Sequence, residues 1–345
     1  MVLILTNEDD YSTNEVIDWL IHYNADFRRI NGGEYLLIDE IEIGNSPEAS
    51  DITIVTQDGE RLSFREIKAY WYRRGEIRIH PESHIQNELF ALPLKDIDSK
   101  NELKNGTGFL DYFNGEIGDL SKYLNSYLQG IPSIGSFFHN YTNKLENLRI
   151  AESCGLTIPE TLITGNKSNA AAFIVKHGRT IGKAIRNGIG IKTVDFTYSG
   201  MTVLYTEEDI ELLPEIFFPQ LFQQCINKRY ELRVFFLDDE FYASAIFSQN
   251  DKKTELDFRN YNYERPNRTP PYNLPSAIKT KLISFMKMVG MNSGSIDMVV
   301  TDKMEFIFLE VNPIGQFSQV SKPCNYHLEK RIAQNLIDKH GKQKN

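Results

Sequence analysis

Cysteine is scarce in this chain. Only three occur, Cys154, Cys225 and Cys324, and no two form a CxxC pair. That spacing excludes a zinc ribbon and a thioredoxin-type site, and an odd count without a disulfide pattern fits a reducing cytoplasm. Positive charge is also short: 38 Lys plus Arg stand against 47 Asp plus Glu, a formal net charge of −9. A sequence-independent binder of nucleic acid needs a dense cationic surface to displace counterions, so nucleic acid is not an expected partner. No stretch approaches the ~20 apolar residues of a membrane span. The opening, MVLILTNEDD, has neither the basic n-region nor the long apolar h-region of a signal peptide. The expectation is a cytoplasmic protein with no membrane contact.

What is present is an ordinary globular composition, 41% apolar and 25% charged in 345 residues. At about 150 residues per domain, two or three domains are expected. The patterning is mixed α/β. Met1–Leu5 reads as a buried strand and Asp26–Ile30 as the next. Between them Val16, Ile17, Leu20 and Ile21 share a helical face behind a Ser12/Glu15 capping box. The first loop, Thr6–Asp10, has no glycine, so this β-α-β opening is not a dinucleotide fingerprint. Ile52–Val55 and Tyr70–Arg74 are further strand candidates, Phe109–Leu128 is a helix, and turn-rich Gly130–Gly135 marks a domain boundary.

Beyond that boundary Asn143 caps a helix closed by Gly155, and Gly178 stops a helix at Ser168–His177. Arg179–Ile185 is a strand followed by the glycine-bearing loop Asn187–Gly190. Ile191–Phe196 and Met201–Tyr205 read as a hairpin turning at Ser199-Gly200, and Phe217–Ile226 as an apolar connector. Glu231–Leu237 and Phe241–Ser248 are strands about Asp238-Asp239-Glu240. A long polar segment, Asn250–Leu274, precedes an amphipathic helix, Ser276–Gly290. Ser295–Val300 and Met304–Val311 form a last hairpin before a helix at Tyr326–Lys339.

Four groups of residues carry chemistry. Glu310 and Asn312 stand two apart on a strand, and Asp297 sits in the preceding apolar strand, SIDMVV. Oxygen donors on adjacent antiparallel strands suit a hard cation such as magnesium; the other reading is a set of solvent-facing residues at sheet ends. Lys183 lies mid-strand before the glycine loop, where an ammonium and open backbone amides suit phosphate; alternatively it snorkels from a half-buried strand. Gln223-Gln224-Cys225-Ile226 can offer backbone groups to an adenine edge, and Glu231 can accept from a ribose. Arg233 shares its face, so the pair also reads as a surface salt bridge. Arg259, in DFRNYN, can steady charge developing on a phosphoryl group or acyl phosphate. Arg73 and Arg74 in WYRRG read as a structural ion-pair site. No His, Cys or Ser arrangement suggests covalent catalysis.

The order of these elements resembles the ATP-grasp superfamily over about residues 133–345: Lys144 opening a helix, Lys183 before a loop, QQCI leading into ELR, the Arg259 segment, then SIDM and LEVNP. LTNEDDYSTNEVIDWL, WYRRG, PQLFQQCINKRYELRVFF and LEVNPIGQF running into VSKPCNY resemble the peptide maturases of graspetide pathways, the microviridin-type macrocyclases and "grasp-with-spasm" ligases. The resemblance implies an α/β (α+β) chain with an ATP-grasp fold behind an N-terminal α/β pre-ATP-grasp domain, divided as 1–132, 133–225 and 226–345. It implies ATP held by Lys144, Lys183, Gln224, Cys225, Ile226 and Glu231, Mg2+ held by Asp297, Glu310 and Asn312, and catalytic roles for Arg233 and Arg259. The implied reaction activates acidic side chains of a ribosomal precursor peptide, leader plus core, as acyl phosphates and closes ester or amide crosslinks. A homodimer is implied as well. One departure stands out: the hinge commonly reads Gln-Glu in relatives and here is Gln223-Gln224, which leaves a backbone contact to adenine. The hairpin Ile191–Tyr205, with its tip at Tyr198-Ser199-Gly200, is the candidate peptide tether; the other reading is an ordinary lid over ATP. Two other functions would share the ATP residues: a ligase adding a free amino acid to a protein or metabolite, and a catalytically silent nucleotide-binding module that recognises a peptide.

Overall fold

The computed structural model describes residues 1–46, 50–75, 77–79, 107–140, 142–186, 190–193, 197–199, 202–250, 254, 256, 262, 264 and 266–341. The chain divides into two compact units, Met1–Asn140 with Leu328–Asn345, and Tyr141–His327.

The first unit grows from the apolar opening. β1 (Val2–Thr6), α1 (Tyr11–His22) and β2 (Phe27–Asn31) form a β-α-β element with parallel strands. The helix is capped differently from expectation. Asp10 is the N-cap, accepting from the Ser12 amide at 3.2 Å, and the Ser12 hydroxyl donates to the same carboxylate, so it does not serve a capping box with Glu15. Next come β3 (Leu37–Glu42), β4 (Asp51–Val55) and β5 (Arg61–Ser63), a three-stranded antiparallel sheet. β6 (Ala69–Tyr72), α2 (Thr107–Leu128) and β7 (Ser133–Ile134) follow. The parallel sheet has the order β2-β1-β6-β7, and β1, at its centre, is buried along its whole length. Because β7 pairs with β6, the expected boundary at 132/133 falls inside this unit. The helix Leu328–Gly341 also belongs here and not with 226–345. Its Leu328, Ile332, Ala333 and Leu336 are buried, and it packs on α1 and β6.

Arg73 is the charged residue at the heart of this unit, 3% exposed, with its Nε 3.0 Å from Asp10 Oδ2 and its Nη2 3.1 Å from the Ser12 hydroxyl. Arg74 Nε lies 3.6 Å from the same carboxylate. The structural ion pair read from WYRRG is what the fold contains.

The second unit rests on two antiparallel sheets. α3 (Lys144–Ser153) starts at Asn143, whose Oδ1 accepts from the Leu145 amide at 3.0 Å, and ends before Gly155 at φ +75°. β8 (Thr161–Asn166), α4 (Lys167–His177) and β9 (Thr180–Lys183) follow. After them come a ribbon, β10 (Gly190–Lys192) with β11 (Thr197–Ser199), then β12 (Val203–Tyr205) and β13 (Ile216–Gln224). The sheet order is β12-β9-β13-β8. Ala170 and Ile174 of α4 bury one face of it with Phe222 and Leu213.

Two expectations are corrected. Gly190 pairs with Ser199 and Lys192 with Thr197, so Ser199 lies in the second strand of the ribbon and not at its turn, and β12 pairs with β9 instead. Tyr198 and Ser199 are therefore strand residues, not a protruding tip. The apolar run Phe217–Ile226 is not a connector. At Leu221–Gln223 it is a central strand, paired with β8 on one side and β9 on the other, and those three residues are buried.

The larger sheet consists of β14 (Lys228–Leu237), β15 (Glu240–Ile246), β16 (Pro271–Tyr272), β17 (Ser293–Thr301) and β18 (Phe306–Asn312), with α5 (Ser276–Met288) after β16 and α6 (Ser318–Cys324) after β18. Its order is β16-β15-β14-β17-β18. Asp238 and Asp239 turn β14 into β15 at φ 42° and 68°, the positive values a tight hairpin requires. Leu232, Val234, Phe236, Ile296, Met298 and Phe308 point to one face. There they pack on Leu148 and Ala151 of α3 and on Leu282, Phe285 and Met286 of α5. Strand alternation sends the intervening residues to the opposite face.

Asp10→Ala should destabilise the protein by roughly 3–5 kcal/mol, because it strands a buried guanidinium. Burial alone would raise the Asp10 carboxyl, but Arg73, Ser12 and Arg74 outweigh it and hold it below its ordinary 3.8. With the folded value depressed, the stabilisation is complete above the unfolded pKa and is lost as pH falls through the folded one. Thermal denaturation of parent and variant between pH 3 and pH 7 checks this: the difference should shrink only at the acid end.

Candidate active site

On the face opposite the core, one row of side chains crosses four strands. Ser244 of β15 pairs with Arg233 of β14, Arg233 with Asp297 of β17, and Asp297 with Glu310 of β18. Arg233 Nη1 donates to both Asp297 oxygens, at 2.6 and 2.7 Å. Both residues are buried, at 7% and 8% exposure, so Asp297 is not solvent-facing and Arg233 pairs across the sheet with Asp297 rather than on the surface with Glu231. Lys144, first residue of α3, brings its ammonium to 3.5 Å from Glu310 Oε2.

Glu310 reaches this row through a break in alternation. Phe308 and Glu310 are two apart, and a regular strand would give them one face. The register slips between Asp297 and Met298: Asp297 pairs with Glu310, but Met298 pairs with Phe308, leaving Leu309 as the extra residue. The bulge puts Phe308 in the core at 0% exposure and Glu310 beside Asp297. Asn312, two pairs further on, is exposed and is the register partner of Ser295, and its Oδ1 accepts from the Ile314 amide at 3.2 Å. Gly315 then passes so close that a Cβ would lie 2.1 Å from Ser295 Oγ, which locks the loop after Asn312 onto β17.

Among the described residues no three His, Cys, Asp or Glu side chains form a metal cluster. The donor set here is two carboxylates and an amide oxygen. That fits magnesium, which takes one or two carboxylates and fills its shell with water and phosphate oxygens.

Two residues before Arg233, Glu231 is 6% exposed. Its Oε1 accepts from Ser248 Oγ at 2.7 Å and from Lys228 Nζ at 2.9 Å. Burial pushes this carboxyl up; Lys228 and Ser248 pull against that, and the nearby Asp297 adds to it. Sequence reasoning missed Lys228 and Ser248. A second register slip, between Lys228 and Tyr230, brings Lys228 to the Glu231 side, and spacing alone does not show it.

In the smaller sheet Lys183 ends β9, half-buried, opposite Leu221 of β13. Gln223 is buried and donates to Thr161 Oγ1 at 3.0 Å. The Gln224 amide donates to the Glu160 carbonyl at 2.9 Å and the Cys225 amide to the Arg179 carbonyl at 3.1 Å, so both are committed to backbone partners. The Ile226 amide makes no hydrogen bond among the described residues. Of the three hinge residues it is the one with a donor to offer. Arg259 and most of the glycine loop, 187–189, lie outside the described residues.

An antiparallel sheet carrying two carboxylates, joined through a short hinge to a smaller sheet carrying a lysine, is the architecture of an ATP-grasp enzyme. Residues 141–336 match the model of the RimK-like ATP-grasp domain, and residues 1–105 match the MvdD pre-ATP grasp domain. The chain belongs to the RimK-like ATP-grasp family and is an ATP-grasp ligase with a pre-ATP-grasp domain in front. Among solved structures it is similar to a RiPP-associated ATP-grasp ligase of Chryseobacterium gregarium, determined with ADP and a leader and core peptide. That likeness has a TM-score of 0.76 and 25% identity over 98% of this chain and 96% of that one. The macrocyclase MdnC of Microcystis aeruginosa MRC, bound to its precursor MdnA, follows at TM-score 0.72 and 22% identity, covering 98% and 100%. The ligase PsnB, with minimal precursor, Mg and ADP, gives 0.66 and 16%, covering 98% and 97%. The last two likenesses are of fold. A sequence search of curated proteins gives no match.

Replacing Asp297 by Leu alone should destabilise the protein by on the order of 3 kcal/mol, since Arg233 is left buried without its counter-charge. Arg233→Met combined with Asp297→Leu should recover most of that stability, yet release no ADP. Thermal denaturation beside an ADP-release assay separates the two effects; recovery of turnover with stability would remove both residues from the site.

Proposed function

We propose that this chain is a peptide maturase. It uses ATP to convert acidic side chains of a ribosomally made precursor into acyl phosphates and joins them to Ser, Thr or Lys side chains of the same peptide. The observation that carries this reading is the likeness along 98% of the chain to a ligase solved with ADP, a leader and a core peptide. The match of residues 1–105 to the MvdD pre-ATP grasp domain supports it.

ATP lies within the second unit, between its part before the hinge, 141–225, and its part after it, 226–327. The Ile226 amide takes the adenine edge, with Gln224 and Cys225 shaping the hinge, and Glu231 accepts from the ribose. Lys144 and Lys183 hold phosphate oxygens. Asp297, Glu310 and Asn312 hold magnesium, which neutralises phosphate charge when bound. A substrate carboxylate oxygen attacks the γ-phosphorus and ADP leaves. A hydroxyl or amine of the peptide then attacks the acyl carbon, phosphate leaves, and the nucleophile's proton goes to a phosphate oxygen. Each link removes one water from the peptide. Arg233 and Arg259 steady the charge that develops. Arg233 commits Nη1 to Asp297, while its Nε and Nη2 make no hydrogen bond among the described residues. The protein works in the cytoplasm as a homodimer, with neither nucleic acid nor membrane as a partner.

A ligase adding a free amino acid would share every ATP residue. A likeness to D-alanyl-alanine synthetase A of Vibrio cholerae, at TM-score 0.56 and 14% identity, keeps that reading in view. Intact mass of a co-expressed precursor decides between them: loss of one water per link supports the maturase, and a gain of residue mass overturns it.

Lys183→Ala should weaken ATP binding by about 10- to 100-fold, the worth of a hydrogen bond to a charged group. Arg259→Ala should leave ATP binding within about 3-fold and slow crosslinking by on the order of 100-fold, since it acts on transition-state charge. Calorimetry with ADP and single-turnover mass spectrometry check the division; equal losses of affinity in both variants would show that the roles are wrongly divided.

A further inference from the structure

Among the described residues the Glu231 carboxylate is held on one side only. Its Oε1 receives Ser248 Oγ at 2.7 Å and Lys228 Nζ at 2.9 Å. Oε2 makes no hydrogen bond among the described residues. The clamp is itself braced. Lys228 Nζ also donates to the Leu256 carbonyl at 3.1 Å, and Thr254 Oγ1 donates to the Ser248 carbonyl at 2.9 Å. Ser248 and Thr254 are fully buried, and the Lys228 and Glu231 side chains are 10% and 7% exposed. The carboxylate therefore has one rotamer fixed by two donors from different elements.

An ionised carboxylate oxygen accepts and cannot donate. Held in place on β14, the strand that follows the hinge Gln224–Ile226, Oε2 selects a ligand group that donates there, and a hydroxyl of a nucleoside's sugar is such a group. Lys228 contributes more than geometry. Without its charge the buried Glu231 would be driven toward its neutral form, and a neutral carboxyl both donates and accepts, so it selects less.

We propose that Lys228 and Ser248 are positioning residues that set the sugar specificity of the nucleotide site, holding Glu231 Oε1 so that Oε2 accepts from a ribose hydroxyl. The proposal rests on the reading of Glu231 as the ribose acceptor. A purely structural clamp would matter equally for every nucleotide. A positioning role changes the ratio between nucleotides that carry the hydroxyl and those that lack it.

The experiment measures dissociation constants of ADP, 2′-deoxy-ADP and 3′-deoxy-ADP, each with magnesium, for the full chain and for Lys228→Met, Lys228→Arg and Ser248→Ala. Thermal denaturation confirms that each variant is folded. The parent should prefer ADP over at least one deoxy form by about 10-fold or more, the worth of one hydrogen bond to a charged group. Lys228→Met should bring that ratio to within about 3-fold of one, chiefly by weakening ADP. Lys228→Arg should restore part of it, and Ser248→Ala should give an intermediate ratio. A parent with no preference among the three nucleotides would overturn the ribose reading of Glu231 and this proposal with it. A parent that discriminates, beside folded Lys228→Met and Ser248→Ala variants that bind all three nucleotides more weakly in the same proportion, would overturn this proposal alone. Should Lys228→Met fail to fold, Ser248→Ala decides: an unchanged ratio overturns the proposal, and a reduced one supports it.

Discussion

A buried charge pair, Arg233 with Asp297, is the constraint around which the second unit is organised. Each ion costs several kcal/mol to remove from water, and the cost is recovered only when geometry and further partners are good. The fold supplies both. The two residues are register partners on adjacent strands, and a single guanidinium nitrogen reaches both carboxylate oxygens. Those strands are held by the apolar side chains between the charged ones, packed on α3 and α5. The same alternation that builds the core thus delivers the chemistry to the other face. Lys144 and Glu310 extend the row to a third strand and a helix N-terminus. Lys228 and Glu231 repeat the pairing two residues away, so each buried carboxylate on β14 and β17 has its own cation.

Much of this was legible in the sequence. The helix over Lys144–Ser153, the paired strands about Asp238-Asp239 and the final hairpin all carry strong local signals: an asparagine cap, a tight acidic turn, apolar alternation. Asp297 was conspicuous as a lone acid in an apolar run. What escaped was non-local. No local pattern tells that Ser12 gives its hydroxyl to Asp10, because Asp10 is fixed by Arg73, which is distant in sequence. Phe217–Gln224 reads as a connector because it has no clean alternation: Phe218 is exposed, whereas Leu221, Phe222 and Gln223 are buried in succession. The hairpin was misassigned because Ser199-Gly200 is a strong turn signal, yet Ser199 pairs with Gly190 and β12 is taken by β9.

The two bulges show how far a strand departs from simple parity where chemistry is needed. One extra residue at Leu309 turns Glu310 from the core side to the cleft, and one between Lys228 and Tyr230 lets Lys228 reach Glu231. Period-two reasoning finds the right residues but assigns one of each pair to the wrong face. Local bends of this kind re-aim single side chains without moving the sheet that carries them.

The helix Leu328–Gly341 buries its apolar stripe on α1 and β6, although all of the second unit lies between them in the chain. Its Lys330 ammonium sits 5.1 Å over the Trp19 ring, and Gln334 donates to the Tyr23 hydroxyl at 3.2 Å. On the ribosome, then, the first unit emerges early but lacks its covering helix until synthesis has passed the second. Its α1 face stays exposed through that interval, and closing it demands a contact of very long sequence separation, the kind that folds slowly. Maturation of the first unit is in this way made to wait for the ligase unit to be complete.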